Sequence, residues 1–402
     1  MLTTFRKAEY FELLVLFFIQ GAAMAMWFVP LGPVLDAHGL HSIKSFAFAG
    51  SAVAAFVSPL IFGAMADRHA SPVKVLRGLA LVTAVNMTIV STAIRFHGHP
   101  WLVLALIQFF YLSYAPMFSI SSALILARLR NAQQEFGPIR SMATFGWMTG
   151  CWMVSLLNAD TSALAGYSGA AVWLAVALCT FFLPVLEVPP SATNLTWQER
   201  FGLDALALLK NPDHRVVFIT AALLNIPLAA FYPYAPAHLE DLGLVHTSAW
   251  MSLAQASELV AIFCLGWLLL KWRLKWIFAC GLGFGVLRFA LSAMNGKYWL
   301  LAGVALHGAS FALVFIVAQI YLEQRVEAAW RARAQALLTL MGIGVGNLLG
   351  YLGTGWWFTA CTTLGRTRWP LFWGALAAVV GAVLVYFLAA YRGRKRGVQG
   401  TH

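Results

Sequence analysis

The chain has 402 residues, 61% of them hydrophobic and only 10% charged, with a formal net charge of +12. A soluble fold needs more charge than this to cover its surface, so the composition excludes an ordinary soluble protein and predicts an integral membrane one. The basic excess invites a nucleic-acid partner, but the placement of the lysines and arginines removes that reading.

A membrane helix needs roughly 20 apolar residues. Runs of that kind predict twelve helices, over about 11–34, 44–66, 74–95, 101–127, 138–157, 167–187, 214–238, 248–270, 275–293, 298–322, 332–357 and 369–391. The first follows Arg6, Lys7 and Glu9 and has no A-x-A cleavage signal, so it reads as a retained span. The fifth opens on Gly137-Pro138 and carries Arg140; the ninth carries Arg288.

Of the 27 lysines and arginines, Lys44, Arg95, Lys297, Arg366 and Arg368 fall on one side of this topology, Arg140 and Arg288 lie within spans, and the rest fall on the other side. The positive-inside rule then puts both termini in the cytoplasm of a bacterial inner membrane. The tail "YRGRKRG" (Tyr391–Gly397) becomes a topology anchor against anionic lipid rather than a nucleic-acid site.

Between spans six and seven stands the longest interior hydrophilic stretch, Glu187 to Arg215. Its segment "TWQERFGLDALALLKN" suits an amphipathic helix on the cytoplasmic face. The expected organisation is an N-terminal six-helix half over 1–187, a connector over 188–213 and a C-terminal six-helix half over 214–402. That is the layout of parallel-repeat transporters, with a site between the halves near the midplane.

The loop "GAMADRHASPVKVLR" (Gly63–Arg77) resembles the G-x-x-x-D-R signature of the major facilitator superfamily, found in the same loop. Gly63, Asp67, Arg68 and Arg77 are its candidate latch residues. The matching loop "GWLLLKWRLKW" (Gly266–Trp276) keeps the glycine and the basic residues but lacks the Asp.

Ionisable groups inside spans are costly and mark candidate sites. Arg140, Thr144 and Trp147 share one helix face at i, i+4, i+7, which suits a ligand with a flat ring and polar edges. The alternative is that Arg140 snorkels to the membrane surface. Gln255 and Glu258, three apart, form a second polar face, fit either for ligand hydroxyls and a proton or for an interhelical bond. Arg288 has no polar neighbour at helical spacing and reads as structural. Weaker candidates are Gln20, Trp27, Gln108, Tyr111, Tyr114, Asn225, Tyr232, Phe311 and Gln319. The five cysteines lie in apolar runs without CxxC or histidine spacing, and His38, His41, His97 and His99 lack carboxylate partners, so no metal and no cofactor is expected. No Walker loop and no nucleophile–base spacing appears, which argues against ATP-driven transport and against an enzyme.

The chain resembles the nucleoside:proton symporter family of the major facilitator superfamily. The resemblance rests on Gln20 and Trp27, "SYAP" (Ser113–Pro116), "GPIR" with Thr144 and Gly146, "GLDALALLKN" (Gly202–Asn211), "QASE" (Gln255–Glu258), "LRFAL" (Leu287–Leu291) and "RARAQALLTLM" (Arg331–Met341). It implies an all-α integral membrane fold of twelve transmembrane helices and a monomer that imports nucleosides with protons by alternating access. It also implies that Arg140, Thr144, Trp147, Asn225, Gln255, Glu258 and Phe311 bind substrate. Trp147 stands where the family has a Phe. On span seven the family pairs Gln and Asn three apart, whereas "NIPL" (Asn225–Leu228) keeps at most one of them. On span ten the family has an Asp directly after its aromatic, regarded as a proton-coupling group; here Phe311 is followed by Ala312. Glu258 is therefore the proton-coupling candidate. The alternatives are a sugar or other polyhydroxylated cargo on the same fold, and a non-cycling sensor or lipid-handling protein.

Overall fold

The structure, a computed structural model, describes residues 10–66, 71–129, 132–183, 196, 203–327 and 330–393. The helices are α1 (Phe11–Phe28), α2 (Leu31–Ala37), α3 (Lys44–Ala66), α4 (Pro72–Arg95), α5 (Pro100–Leu126), α6 (Ala132–Leu156) and α7 (Leu164–Cys179). They continue as α8 (Pro212–Leu228), α9 (Phe231–Asp241), α10 (Thr247–Met251), α11 (Leu253–Lys271), α12 (Leu274–Ala293), α13 (Lys297–Phe311), α14 (Val317–Arg325), α15 (Arg331–Thr339), α16 (Asn347–Cys361) and α17 (Trp369–Ala390). Among the described residues nine helical segments are long and apolar enough to cross a membrane. With α3, α6 and the shorter α7, the order accommodates twelve passes. Leu270, Phe182 and Trp356 stand largely exposed, as lipid-facing side chains do.

Prolines decide where the rods break. Pro30 and Pro33 withhold the N–H groups that would bond the carbonyls of Met26 and Val29, and span one splits into α1 and α2. Pro227 and Pro233 do the same for Leu223 and Ala229, and span seven splits into α8 and α9. Pro116 and Pro236 remain inside unbroken helices. Span five starts earlier than Gly137-Pro138, because α6 runs through Pro138, a residue that membrane helices tolerate. Span six ends earlier than 187: Thr180–Leu183 form a turn, and Pro184 bars the residue before it from helix. Of the expected connector helix, Leu203–Lys210 is a short 3₁₀ segment tied to α15 by the Arg333–Asp204 ion pair. Between α16 and α17 a two-residue-per-strand hairpin, β1 (Thr362–Thr363) with β2 (Arg366–Thr367), turns on Leu364 and Gly365, both at positive φ.

Small residues decide how closely the rods approach. A Cβ on Gly146 would lie 1.9 Å from the Phe18 carbonyl, and one on Gly150 would lie 2.5 Å from that of Ala22, so α1 and α6 meet backbone to backbone. The same device recurs in the second half. A Cβ on Gly346 would lie 2.7 Å from the Ala222 carbonyl, and one on Gly350 would lie 2.5 Å from that of Ile226. Apolar side chains fill the rest as two large clusters. One is drawn almost wholly from residues 10–183, the other mainly from residues 205–391.

One end of the bundle gathers the chain ends. Tyr10 bonds Glu135 at the start of α6, Lys275 at the start of α12 donates to the Tyr391 carbonyl, and Arg392 N–H donates to Asp213 at the start of α8. At the opposite end the halves touch. Lys44, paired with Asp36, sits over the rings of Tyr234 and Phe358 at 5.1 and 5.0 Å. Phe48 lies 5.7 Å from Tyr351, and Gly32 abuts Pro233.

Gly146→Ala is expected to lower the thermal midpoint in detergent, at a cost of roughly 1–3 kcal/mol from overpacking. Gly353→Ala, whose new methyl meets nothing within 4 Å, is expected to leave it unchanged or slightly raised.

Candidate functional site

Near the middle of the bundle, where α1, α5, α6, α7, α9 and α11 converge, lies a cavity of about 280 Å³. Gln20, Gly21, Met24, Tyr114, Met117, Phe118, Arg140, Ala143, Thr144, Trp147 and Trp173 line it from the first half; Tyr232, Gln255 and Glu258 line it from the second. A larger cleft of about 1020 Å³, lined by His214, Tyr321, Arg325, Glu327, Trp330, Tyr386 and Arg392 among others, lies at the end bearing the described chain ends and away from this convergence of polar groups.

Five of the seven substrate-site residues expected from sequence meet here. The 3.6-residue period brings Arg140, Thr144 and Trp147 to one face of α6, and the contact at Gly146 and Gly150 fixes that helix against α1. The Arg140 guanidinium lies 4.2 Å from the centre of the Phe118 ring and is reached by water, so the cavity is wet on the side of the chain ends. On α11, Gln255 Nε2 donates to Tyr232 Oη at 3.1 Å, which leaves Gln255 Oε1 buried without a partner. Trp147 Nε1, Trp173 Nε1 and Gln20 Oε1 are likewise buried without partners, while Gln20 Nε2 donates to Ser121 Oγ at 2.8 Å. Two unfilled donors and two unfilled acceptors thus belong to residues around one cavity, a costly arrangement. Arg140 and Glu258 line it from opposite halves, within electrostatic reach but without an ion-pair contact. Phe28, Trp147 and Tyr232 close it toward the end opposite the termini, with ring centroids 5.1 to 6.2 Å apart.

Two expected residues stand elsewhere. Asn225 is buried, donates to the Ala221 carbonyl at 2.8 Å, and faces Gly342 and Gly346 in the wide turn between α15 and α16. Phe311 stacks on Phe315 at 5.3 Å and is not among the lining residues. Of the latch residues, Gly63 falls in the last turn of α3, while Asp67 and Arg68 lie outside the described residues. Arg77 binds within its own half: Nε donates to Thr180 Oγ1 at 2.9 Å, and the guanidinium lies 3.6 Å from the Phe181 ring centre. Arg288 is fully buried and bonded to His307, with its guanidinium over Phe231 and Phe289, and is not among the lining residues. Trp173, Met24, Met117 and Phe118 escaped the sequence reading. A lone ring or methionine in an apolar span carries no signal that separates it from core.

A family profile described as Nucleoside H+ symporter matches residues 8–396. The chain belongs to the nucleoside H+ symporter family. Among the relatives of this symporter, YegT of Escherichia coli K12, a putative nucleoside transporter by name, is 30% identical over 405 residues, covering 95% of this chain and 92% of that one. The nucleoside permease NupG of Escherichia coli K12 is 26% identical over 406 residues, 95% of each chain. A crystal structure of a mutant of the nucleoside transporter NupG superposes with a TM-score of 0.87 at 26% identity, covering 95% of this chain and 99% of that one. The D-xylose-proton symporter, 14% identical with a TM-score of 0.70 over 96% of this chain and 99% of its own, shares the fold alone. The fold is that of the major facilitator superfamily, and the symporter is a multi-pass membrane transporter.

In a cysteine-replaced background, Thr144→Cys of this symporter is expected to react with a membrane-impermeant maleimide several-fold faster from the side of the termini than from the other. Equal rates from the two sides would show the cavity open at both ends or at neither.

Proposed function

We propose that this chain imports nucleosides together with protons across the bacterial inner membrane, by rocking its two halves around the cavity at Arg140 and Glu258. The observation that carries the reading is the meeting of Arg140, Thr144 and Trp147 from one half with Gln255 and Glu258 from the other, in a member of a nucleoside H+ symporter family. Trp147 offers a ring face and an indole donor for a base. Arg140 and Thr144 reach its polar edge, and Gln255 and Glu258 suit ribose hydroxyls. Asn225 and Phe311 are not among the lining residues and take no substrate contact on this reading. The relatives named for nucleosides, and for xanthosine in the case of a permease 24% identical, favour this cargo.

Glu258 is the proton-coupling group on this reading, since Ala312 is buried and has no acid to offer. The same reading keeps the cytoplasmic placement of both termini, the halves at 1–187 and 214–402 with a connector over 188–213, and Gly63, Asp67, Arg68 and Arg77 as a cytoplasmic latch. The working unit is a monomer in lipid that needs no nucleic acid, metal or cofactor and performs no covalent chemistry.

Counterflow of radiolabelled uridine in proteoliposomes tests the cargo. Saturable exchange is expected, and Arg140→Ala is expected to lose roughly 10- to 100-fold in transport efficiency, the worth of a charged hydrogen bond. No saturable exchange with uridine or adenosine would overturn the nucleoside assignment. Imposing an inward proton gradient is expected to drive uridine accumulation in the native chain and to have no such effect in Glu258→Gln. Accumulation that ignores both the gradient and that substitution would overturn the coupling and leave the transport standing.

A further inference from the structure

α10 is a five-residue helix without a cap of its own. Its preceding residue, His246, is in the left-handed region at φ 61° and its side chain makes no capping bond. The leading N–H groups of such a helix must find acceptors elsewhere. They find them across the molecule, at the end of the bundle opposite the termini. Ser248 N–H donates to Asp160 Oδ1 at 2.7 Å, and Ala249 N–H donates to Ser155 Oγ at 3.0 Å. The Ser155 hydroxyl itself donates to Asp160 Oδ1 at 3.0 Å, which aims both acceptors at the same helix end. One turn before Ser155, Trp152 Nε1 donates to Ser252 Oγ at 2.9 Å. Asp160, Ser155, Ser248 and Ser252 are all buried. Trp152, Ser155 and Asp160 belong to the end of α6 and the turn after it, in the first half; α10 and Ser252 belong to the second.

A carboxylate at the N-terminus of a helix gains both charge-assisted hydrogen bonds and the favourable end of the helix dipole. Ordinarily that cap is local and permanent. Here it is supplied by the opposite half, so it exists only while the halves are together at this end. The geometry points to Asp160, oriented by Ser155, as a removable helix cap that latches the transporter shut on the side away from the termini. When the cavity opens to that side, Ser248 and Ala249 N–H and the Asp160 carboxylate separate and must be rehydrated. The strength of the cap therefore sets the balance between the two access states. Asp160 is a positioning residue for the cycle and touches no substrate. The inference rests on the transport reading only in that this end must open.

The test reads sidedness rather than uptake. With Thr144→Cys as the reporter in a cysteine-replaced background, labelling is measured from each side of the membrane. Asp160→Ala is expected to raise labelling from the side away from the termini by roughly 10- to 100-fold and to lower it from the other. Asp160→Asn, which keeps an acceptor but loses the charge, is expected to fall between Asp160→Ala and the parent. Ser155→Ala is expected to shift sidedness the same way by several-fold, and it serves if Asp160→Ala does not fold. A lowered thermal midpoint with unchanged sidedness in the folded variants would mean a merely structural cap and would overturn the proposal. Absence of uridine exchange in the native chain, which keeps Thr144, with sidedness still moving in the variants, would sink the nucleoside reading and leave the latch standing.

Discussion

The carbonyls of Phe18 and Ala22 lie directly against Gly146 and Gly150, and the central cavity depends on that contact. In hydrocarbon no hydrophobic force draws helices together, so association depends on how closely backbones approach. With glycine at both positions, α6 lies flat on α1. The face carrying Arg140, Thr144 and Trp147, about a third of a turn round the same helix, is then fixed in direction. The contacts at Gly346 and Gly350 hold the wide turn and the start of α16 against α8 in the same way. Residues of 10–183 and of 205–391 also meet each other, through aromatic, cation–ring and capping contacts and through Gly32 on Pro233 and Gly355 on Ser45. On the proposed reading these are the contacts that part when the halves rock.

The cavity itself is built at a loss. Buried donors on Trp147 and Trp173 and buried acceptors on Gln20 and Gln255 lack partners among the described residues. Each such atom, itself buried, costs about 1–3 kcal/mol while it lacks a partner. A core selected for stability alone would replace them with apolar groups of like shape. The four belong to residues that line one cavity from both parts of the chain, which the larger cleft near the chain ends does not match.

Much of this was legible in the sequence, for reasons that also define where legibility stopped. Helical period alone states which residues share a face, so the Arg140–Thr144–Trp147 and Gln255–Glu258 faces were readable without a structure. Period does not state which neighbour a face will meet. Asn225 shows the difference: a polar residue on the right span, it turns toward Gly342 and Gly346 because those glycines admit a close approach there. Arg288 reads as partnerless in the sequence because His307 sits on the next helix, 19 residues away, outside any i, i+4 window. The cap on α10 was invisible for a like reason, since Asp160 and Ser248 are 88 residues apart and each alone looks like an ordinary loop residue. Trp173 carried no signal at all, because an indole in an apolar span looks the same whether it faces core or cavity.

The charges that remain decide how the proposed cycle would couple. Arg288 meets His307 and the rings of Phe231 and Phe289 and does not line the cavity. With Ala312 apolar, the charged groups lining the cavity are Arg140 and Glu258, one on each half. Closing the wet side takes both out of water, and a buried charge is tolerated only when paired or hydrogen-bonded. An empty cavity can close with Glu258 ionised, because the approaching halves bring it to Arg140. A loaded cavity can close with Glu258 protonated, because its hydroxyl and the Arg140 guanidinium both find acceptors on the ligand. An empty cavity with a protonated Glu258 leaves Arg140 buried and alone, so on the proposed reading that state closes at the highest cost. The empty carrier is thereby biased to give up its proton before it returns, and an acid and a guanidinium facing each other across a gap are enough to impose that bias.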